Sequence, residues 1–473
     1  MPDAVSSPTA EAGSVLRRHG LAGQVQAARS LLLNTWEPWT SAEAGDDALA
    51  VTGGNADSAA LFRLLHLGQP VLRSMLGEPV LEVLSAAGLC RHDGEEVRPG
   101  RWQVSASQGL LAVADREYGN TEAAIHLGED SLRFMAFVLE AAPAGRVLDV
   151  GSGSGISTVA AARSADDVLA VDVLDAARES TGATAELNGV GKSVHVEVVD
   201  FRELGDGRHF DTVIANLPGV PIPNGMPYPA AGNGGPDGLR LIRTLWRWFA
   251  GQSRCDTLLM RFQSLGPPAG PSALEELAMV FVGYEVRVVT DSAVPAMVRD
   301  AITAERVATL GGRRAVEVYG EMAAARAISG VDHFHCSNLS VLRSGSPGIH
   351  HSQHHPGITF GRRYRGSGVG VDPAELIPTY VRWLRYMPDE FWSVHGESSA
   401  ATTLRRIPEL GAALQDGVTS LEAARIVLPA DCDERPTELA GMALAVAMLA
   451  HVMERRRMLT HSNVDAEQTR GLG

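Results

Sequence analysis

From residue 107 to about 325 the chain alternates between two periods. Short aliphatic and β-branched runs (RVLDV, DVLAVDV, VHVEVVD, FDTVIAN, DTLLMRF, YEVRVVT and RAVEVYGEM) are separated by stretches whose apolar positions recur every three or four residues. The runs fit strands buried on both faces and the stretches fit amphipathic helices. The pattern therefore predicts a seven-stranded, mostly parallel α/β sheet covered by helices on both sides, with the seventh strand free to run antiparallel. Ahead of it, residues from Val15 to about Ala106 read as helices. PVLRSMLG and EPVLEVLSAAG are followed by LCRHDGEEVRPGRWQVSAS, a hairpin turning at Asp93-Gly94. Helix, helix and two-stranded wing is the outline of a winged helix, read here as a packing or substrate-gating module. Residues 326 to 473 open on a Gly-, Ser- and His-rich stretch and then turn helical, with LRRIPELGAALQDGVTSLEAARIV as a second unit of similar outline. Three domains are expected: 1–106, 107–325 and 326–473. Residues 1 to about 15 and the last ten read as disordered.

Charge narrows the choice of partners. The 473 residues carry a formal net charge of -15, with pI about 5.5. This balance disfavours a nucleic-acid footprint, which needs basic side chains to neutralise phosphates. Lys192 is the only lysine, a usage that points to GC-rich coding. The four cysteines (Cys90, Cys255, Cys336, Cys432) are widely spaced and form no CxxC, so neither a disulfide framework nor a cysteine zinc site is expected. The amino terminus lacks the basic and apolar regions of a signal peptide. The longest apolar run, LAGMALAVAMLAHVM (439–453), is too short to span a membrane. A cytoplasmic protein is expected. The same run is apolar around much of a helix and needs a partner surface, either in its own domain or in a homodimer.

Chemistry concentrates at the strand tips. RVLDVGSGSGISTVAAAR (146–163) reads as strand, tight turn and helix. Gly151, Gly153 and Gly155 let the backbone pass close beneath a ligand at the strand's carboxyl end. The spacing is GxGxG, with Ile156 where a nicotinamide fingerprint has its third glycine. Asp172, 23 residues beyond Asp149, ends the second run and suits two ribose hydroxyls. Asp200 and Phe201 end the third, suited to the amine and face of an adenine, and Asn216 ends the fourth. A lone strand-end Asp is ordinarily a turn former or helix cap. Four consecutive tips bearing carboxylate or amide make a ligand-binding row.

These segments resemble the class I S-adenosylmethionine-dependent methyltransferases over roughly residues 125–262. Within that class they are similar to the release-factor glutamine methyltransferase branch and its relatives that methylate planar nitrogen. VLDVGSGSG, AVDVLDAARESTGATAELNGV, VEVVDFREL, FDTVIANLPGVPIP and AAGNGGPDGLRLIRTL carry the likeness. The resemblance implies a Rossmann-like methyltransferase sheet. It also implies S-adenosyl-L-methionine as cofactor, held by Asp149, Gly151, Ser152, Gly153, Gly155, Asp172, Val173, Asp200, Phe201 and Asn216. In that branch an Asn-Pro-Pro-aromatic segment lies beside the transferable methyl, its Asn oxygen and a following carbonyl accepting the hydrogens of an NH2 group. Asn216 and Pro218 match that segment and take the catalytic role, while Leu217 replaces the first proline and Gly219 the aromatic. Tyr228, Trp246 or Trp248 would then supply the missing stacking surface, and His126, Glu129, Leu217 and Gly219 would also face the substrate. The implied activity is methyl transfer to nitrogen (amide, amine or ring) of a small molecule or peptide, as in specialised metabolism. One alternative is an oxygen methyltransferase using His126, Arg362 or Arg363. Another is a non-catalytic cofactor-binding module whose winged-helix-like units bind DNA or protein.

Two further segments need a reading. IHLGEDSLRFMAFVLEAA (125–142) is similar to the helix that precedes the first strand in this family. Its Glu129, Asp130 and Ser131 are placed to meet the methionine amino group or the acceptor, although capping explains Asp130 and Ser131 equally well. HFHCSNLSVLRSGSPGIHHSQHHPG (333–357) packs six histidines and Cys336 into 25 residues without regular ligand spacing. It reads as a lid or substrate-contacting loop, with no metal site.

Overall fold

The computed structural model describes residues 7–25, 56–116, 125–204, 208–252, 255–329, 331 and 333–353, and beyond these scattered positions, chiefly 364–366, 405–428 and 459–461. Helix α1 (Pro8–Arg18) begins under Ser7, whose hydroxyl accepts the Ala10 N–H, with Pro8 in its first turn. The chain is thus helical well inside the stretch expected to be disordered, because Ala12, Val15 and Leu16 share one buried face. Helix α2 (Ala56–Leu61) runs on as a π-turn (Phe62–Leu67). Strand β1 (Val71–Leu72), helix α3 (Glu78–Ala86) and the hairpin β2 (Cys90–Asp93) and β3 (Glu96–Pro99) follow. β1 pairs with β3, and the hairpin turns through Gly94 at φ 64°. The expected hairpin is present and EPVLEVLSAAG is helical, but PVLRSMLG, expected to be a helix, holds β1 and a single 3-10 turn (Arg73–Met75), because Val71 and Leu72 pair with β3.

A second hairpin, β4 (Trp102–Ser107) and β5 (Leu110–Asp115), straddles residue 106, the expected domain boundary. Among the described residues no other strand pairs with the outer edge of β5. Its Leu111 and Val113 N–H groups donate instead to the side chains of Asn188 and Thr184, each 3.1 Å away. The amino-terminal unit is fastened to the sheet domain where Gly13 of α1 meets the Leu187 carbonyl so closely that a Cβ would collide. Arg17 Nη1 donates to the same carbonyl at 2.7 Å.

The central sheet is built from β6 (Arg146–Val150), β7 (Asp167–Asp172), β8 (Val194–Val198), β9 (Phe210–Asn216), β10 (Cys255–Gly266), β11 (Glu285–Pro295), β12 (His333–Leu342) and β13 (Gly348–Gln353). Its order is β13-β11-β12-β10-β9-β6-β7-β8, parallel except for β12, which runs antiparallel to both neighbours. Helices α4 (Glu129–Ala141), α5 (Ile156–Ala161) and α6 (Asp175–Leu187) cover one face. Helices α7 (Arg240–Gly251) and α8 (Ala273–Val280) cover the other. Apolar side chains of alternate strand positions fill both layers, as a sheet buried on two sides requires.

The first six expected strands lie where the pattern puts them, and the seventh does not. RAVEVYGEM belongs to helix α10 (Ala315–Ser329), which follows helix α9 (Ala296–Gly311). Alternation holds there for only a few residues. Across the whole stretch the buried Val318, Tyr319, Met322 and Arg326 recur at helical spacing. The strand that completes the sheet is His333–Leu342, inside the segment expected to be a His-rich lid, so the sheet continues past residue 325. From His335 to Val341 its buried positions alternate, but His335 and Ser337 occupy two of them and hide the apolar period. Ser337 meets the Thr290 hydroxyl at 2.9 Å, and His335 Nε2 meets the Pro267 carbonyl at 2.8 Å.

In the carboxyl-terminal region, α11 (Ile407–Gln415) and α12 (Ser420–Val427) pack with α9 and α10, α12 starting in a Thr419–Glu422 capping box. Met442, Val446, Leu449, Ala450 and Met453, from the closing apolar run, are buried in that same cluster. None of the helices among the described residues is long and apolar enough to cross a membrane.

Candidate active site

The strand order reverses between β6 and β9, and a doubly wound sheet opens a crevice at the carboxyl ends of strands at such a point. Val150 pairs with Ala215, so Gly151 and Asn216 leave the sheet side by side. The turn after β6 takes its glycines for three different reasons. Gly151, Gly153 and Gly155 all have positive φ (75°, 50° and 76°), a region that costs other residues strain. A Cβ on Gly151 would lie 2.9 Å from Leu217, and one on Gly155 would lie 2.7 Å from the Thr181 backbone of α6. A Cβ on Gly153 would meet nothing within 4 Å and would fill the cradle above the turn. Ser180 and Thr181 of α6 hold the turn by donating to the Gly153 carbonyl at 2.6 and 3.1 Å, and Thr181 also reaches Ser152.

Asp172, at the tip of β7, accepts the Gly153 and Leu174 N–H groups, each at 3.0 Å. Burial raises its pKa, opposed by these backbone donors. Val173 beside it is exposed. Asp149 lies beneath the turn, 1% exposed, with the Thr158 hydroxyl donating to it. Burial pushes its carboxyl up to about 7. At the tip of β8, Asp200 accepts the Arg202 N–H at 3.0 Å and its Nε at 2.9 Å, and Arg202 lowers its pKa. Phe201 is buried edge-on to Trp248, with centroids 5.7 Å apart.

Asn216 faces helix α4. Its Nδ2 donates to Asp130 Oδ2 at 3.4 Å, and its Oδ1 has no hydrogen bond among the described residues. Below it lies a buried ionic network. Arg261 of β10, in register with Asn216 and 2% exposed, donates to both oxygens of Asp291 (2.7 and 3.0 Å) and to Asn338 (3.1 Å). Asp291 reaches Arg261 across β12 because β11 bulges between Thr290 and Ser292. Asp291 and Asp130 raise the pKa of Arg261 against its burial, and its Nε has no hydrogen-bond partner among the described residues. Arg133 of α4 links Asp291 (3.8 Å) to Glu129 (3.1 Å).

Several expected substrate contacts are redistributed. Leu217 is buried against Gly151 and Pro218 is half-buried. Gly219 has no room for an aromatic, since its Cβ would meet Gln263 Cβ at 3.3 Å. Trp246 cannot supply the missing ring: it is 0% exposed in the core, with Nε1 on Met260 Sδ at 3.0 Å. Tyr228 packs half-buried against the α9–α10 side, and His126 lies partly buried just before α4. Arg362 and Arg363 fall outside the described residues. Arg261, Asp291 and Asn338 were missed by sequence reasoning. The available signal was an arginine inside the apolar run LLMRFQSL, but its partners lie on strands remote in the chain.

The glycine turn and the tip carboxylates occur together with the strand order β8-β7-β6-β9-β10-β12-β11, to which β13 adds an edge strand. The central unit has the Rossmann-like α/β fold of the class I S-adenosylmethionine-dependent methyltransferases. Residues 131–224 of this domain match the family model described as ribosomal protein L11 methyltransferase (PrmA), a segment well short of half the chain. A ribosomal protein L11 methyltransferase of an Exiguobacterium species is 42% identical over 72 residues, 15% of this chain and 23% of that protein. One from Rhodopseudomonas palustris is 30% identical over 138 residues, 27% of this chain and 47% of that protein. The chain thus spans from about a quarter to about half of the length of these relatives. Among solved structures, a ribosomal protein L11 methylase from Lactobacillus delbrueckii is 19% identical, with TM-score 0.25, covering 34% of this chain and 72% of that one. A geranyl diphosphate methyltransferase is 15% identical, with TM-score 0.28, covering 48% and 92%.

Within the methyltransferase domain, the residues present fit the cofactor. Open space over Gly153, a half-buried carboxylate at Asp172 and an exposed Val173 beside it suit a nucleoside lying across the turn.

Proposed function

We propose that the protein transfers a methyl group from S-adenosylmethionine to an amine nitrogen of a protein. The observation that carries this reading is the pairing of Asn216 with Asp130 next to the glycine turn. A carboxylate beside a neutral amide oxygen suits an amine that arrives protonated and must lose its proton before it can attack. The names of the relatives matched by the domain support a protein acceptor over a specialised metabolite.

When bound, S-adenosylmethionine supplies an electrophilic methyl; the nitrogen–carbon bond forms as the sulfur–carbon bond breaks, leaving S-adenosylhomocysteine. The chain's own task is binding and orientation. Gly151 to Gly155 and Asp172 hold the nucleoside, with Val173, Asp200 and Phe201 beside the base. Asn216 keeps Nδ2 on Asp130 and turns Oδ1 to the acceptor N–H, Pro218 stiffens the turn, and Asp130 takes the acceptor's proton. The gain is chiefly orientation of the lone pair along the transfer line. The amino-terminal unit, which joins the sheet domain along α6, is the surface on which a folded protein substrate would rest.

The test is incubation with tritium-labelled S-adenosylmethionine and recombinant ribosomal protein L11, or a cytosolic extract, with the label located by fragmentation mass spectrometry. Label on a protein nitrogen is expected. Label only on oxygen, or only in the small-molecule fraction, overturns the reading.

A further inference from the structure

The α9–α10 pair is inserted between β11 and β12 and lies against the loop that follows Asn216. Met226 and Tyr228 pack on its apolar cluster, and Gly311 sits beside Pro227. From α10, Arg326 reaches into that loop. Its Nη2 donates to the Pro221 carbonyl at 3.0 Å and its Nη1 to the Pro236 carbonyl at 3.2 Å. Asp300 of α9 orients the same guanidinium, accepting Nε at 3.3 and 3.2 Å and Nη2 at 3.1 Å. The pair is buried, Asp300 3% and Arg326 7% exposed.

The two carbonyls belong to the two limbs of one loop. The first limb, Asn216 to Pro221, carries the acceptor residues. The second, Asn233 to Leu239, returns beside it, with Gly238 backbone against the Gly219 carbonyl. Six prolines between 218 and 236 remove backbone donors, so few main-chain bonds close the loop. Those present are Val220 N–H to Gly232, Gly234 N–H to Val220 and Ile222 N–H to Gly235. The buried Arg326 fork adds a side-chain tie to these three bonds, reaching the carbonyls of Pro221 and Pro236.

We infer that Arg326 is a positioning residue of the acceptor site, setting the Asn216–Pro218 turn through the Pro221 and Pro236 carbonyls. The α9–α10 insertion is then the wall on which acceptor placement depends. This inference rests on the function proposed above. Arg326→Lys keeps the charge beside Asp300 but cannot span three partners. The double variant Asp300→Asn with Arg326→Met removes both charges, so neither is left buried alone.

Hydrogen exchange of the full-length chain, read by mass spectrometry, decides the matter without any acceptor. In both variants the amides of 217–239 are expected to exchange about tenfold faster or more, while β6, β9 and β10 keep their protection and the Kd for S-adenosylhomocysteine stays within about threefold. With ribosomal protein L11 as acceptor, kcat falls about tenfold or more while the KM for S-adenosylmethionine holds. Unchanged exchange in 217–239, full rescue by lysine, or loosening spread evenly over the sheet overturns the inference. Wild-type chain that binds no S-adenosylhomocysteine would instead sink the proposed function, and the exchange result would still report on the clamp.

Discussion

Asn216 and Asp130, 86 positions apart in the chain, meet at 3.4 Å where β9 ends and α4 begins. The contact fixes which end of the Asn216 amide is free: with Nδ2 turned to the carboxylate, the acceptor side is presented with oxygen. Replacing Asn216 by Ala is expected to lower turnover about 100-fold or more, with the Kd for S-adenosylhomocysteine within about threefold of wild type. Turnover and cofactor affinity both unchanged would remove Asn216 from the site.

Asp130 has a different signature. If it accepts the acceptor's proton, Asp130→Asn should slow methylation most near pH 7. Activity should recover toward about pH 9, as an amine with a pKa of about 10 begins to shed its own proton. A pH–rate profile parallel to wild type would assign Asp130 to capping alone.

The glycines of the turn separate folding from binding. Gly155→Ala places a methyl 2.7 Å from the Thr181 backbone at φ 76°, and should lower stability by about 2 kcal/mol or more. Gly153→Ala meets no protein atom, and pays only for its positive φ of 50°. It should cost about 1 kcal/mol of stability but weaken S-adenosylhomocysteine binding at least tenfold, because its methyl occupies the cradle. Chemical denaturation and calorimetry on the two variants check both halves.

Asp172→Ala should weaken cofactor binding by two to three powers of ten, since each hydrogen bond to a charged acceptor contributes about 1.5–3 kcal/mol. Removing this carboxylate also releases the Gly153 and Leu174 N–H groups, so Asp172→Asn, which retains an acceptor, should lose less. Equal losses in the two variants would contradict the ribose assignment.

Asp149 makes stability depend on pH in a stated direction. Burial lifts its carboxyl from 3.8 to about 7. Between those values the folded chain holds a proton that the unfolded chain has lost. The contribution is therefore full below about pH 4, falls by up to about 1.4 kcal/mol per unit as pH rises, and is gone above about pH 7. Asp149→Asn, which still accepts from Thr158, should flatten the unfolding free energy across that window. A slope equal to wild type would mean that Asp149 is charged in the fold.

The cofactor half of the site was legible because it is local. A glycine turn, the carboxylate after the second strand and Asn216 each follow a strand whose apolar run is visible, and parallel order carries their tips to one edge. The acceptor half was legible only in part. Asn216 and Pro218 stood out, but Trp246 was chosen for its ring although its helix turns that face into the core. Arg326 was hidden inside a stretch whose brief alternation resembled a strand. The strand His333–Leu342 went unrecognised because its inward serine and histidine find partners on β11 and in the loop after β10, and such pairing leaves no trace in hydrophobic period.

Local pattern by itself determined the first six strands, the helices between them and the polar residues at their tips, since burial on two faces and backbone freedom at glycine are properties of short segments. Tertiary structure alone decided which strand closes the sheet, what occupies the space beside Gly219 and which charges are buried together. Those outcomes depend on hydrogen bonds and ion pairs between residues far apart in the chain, such as Arg261 with Asp291 and Arg326 with Pro221, whose energy exists only once the fold has brought them within reach.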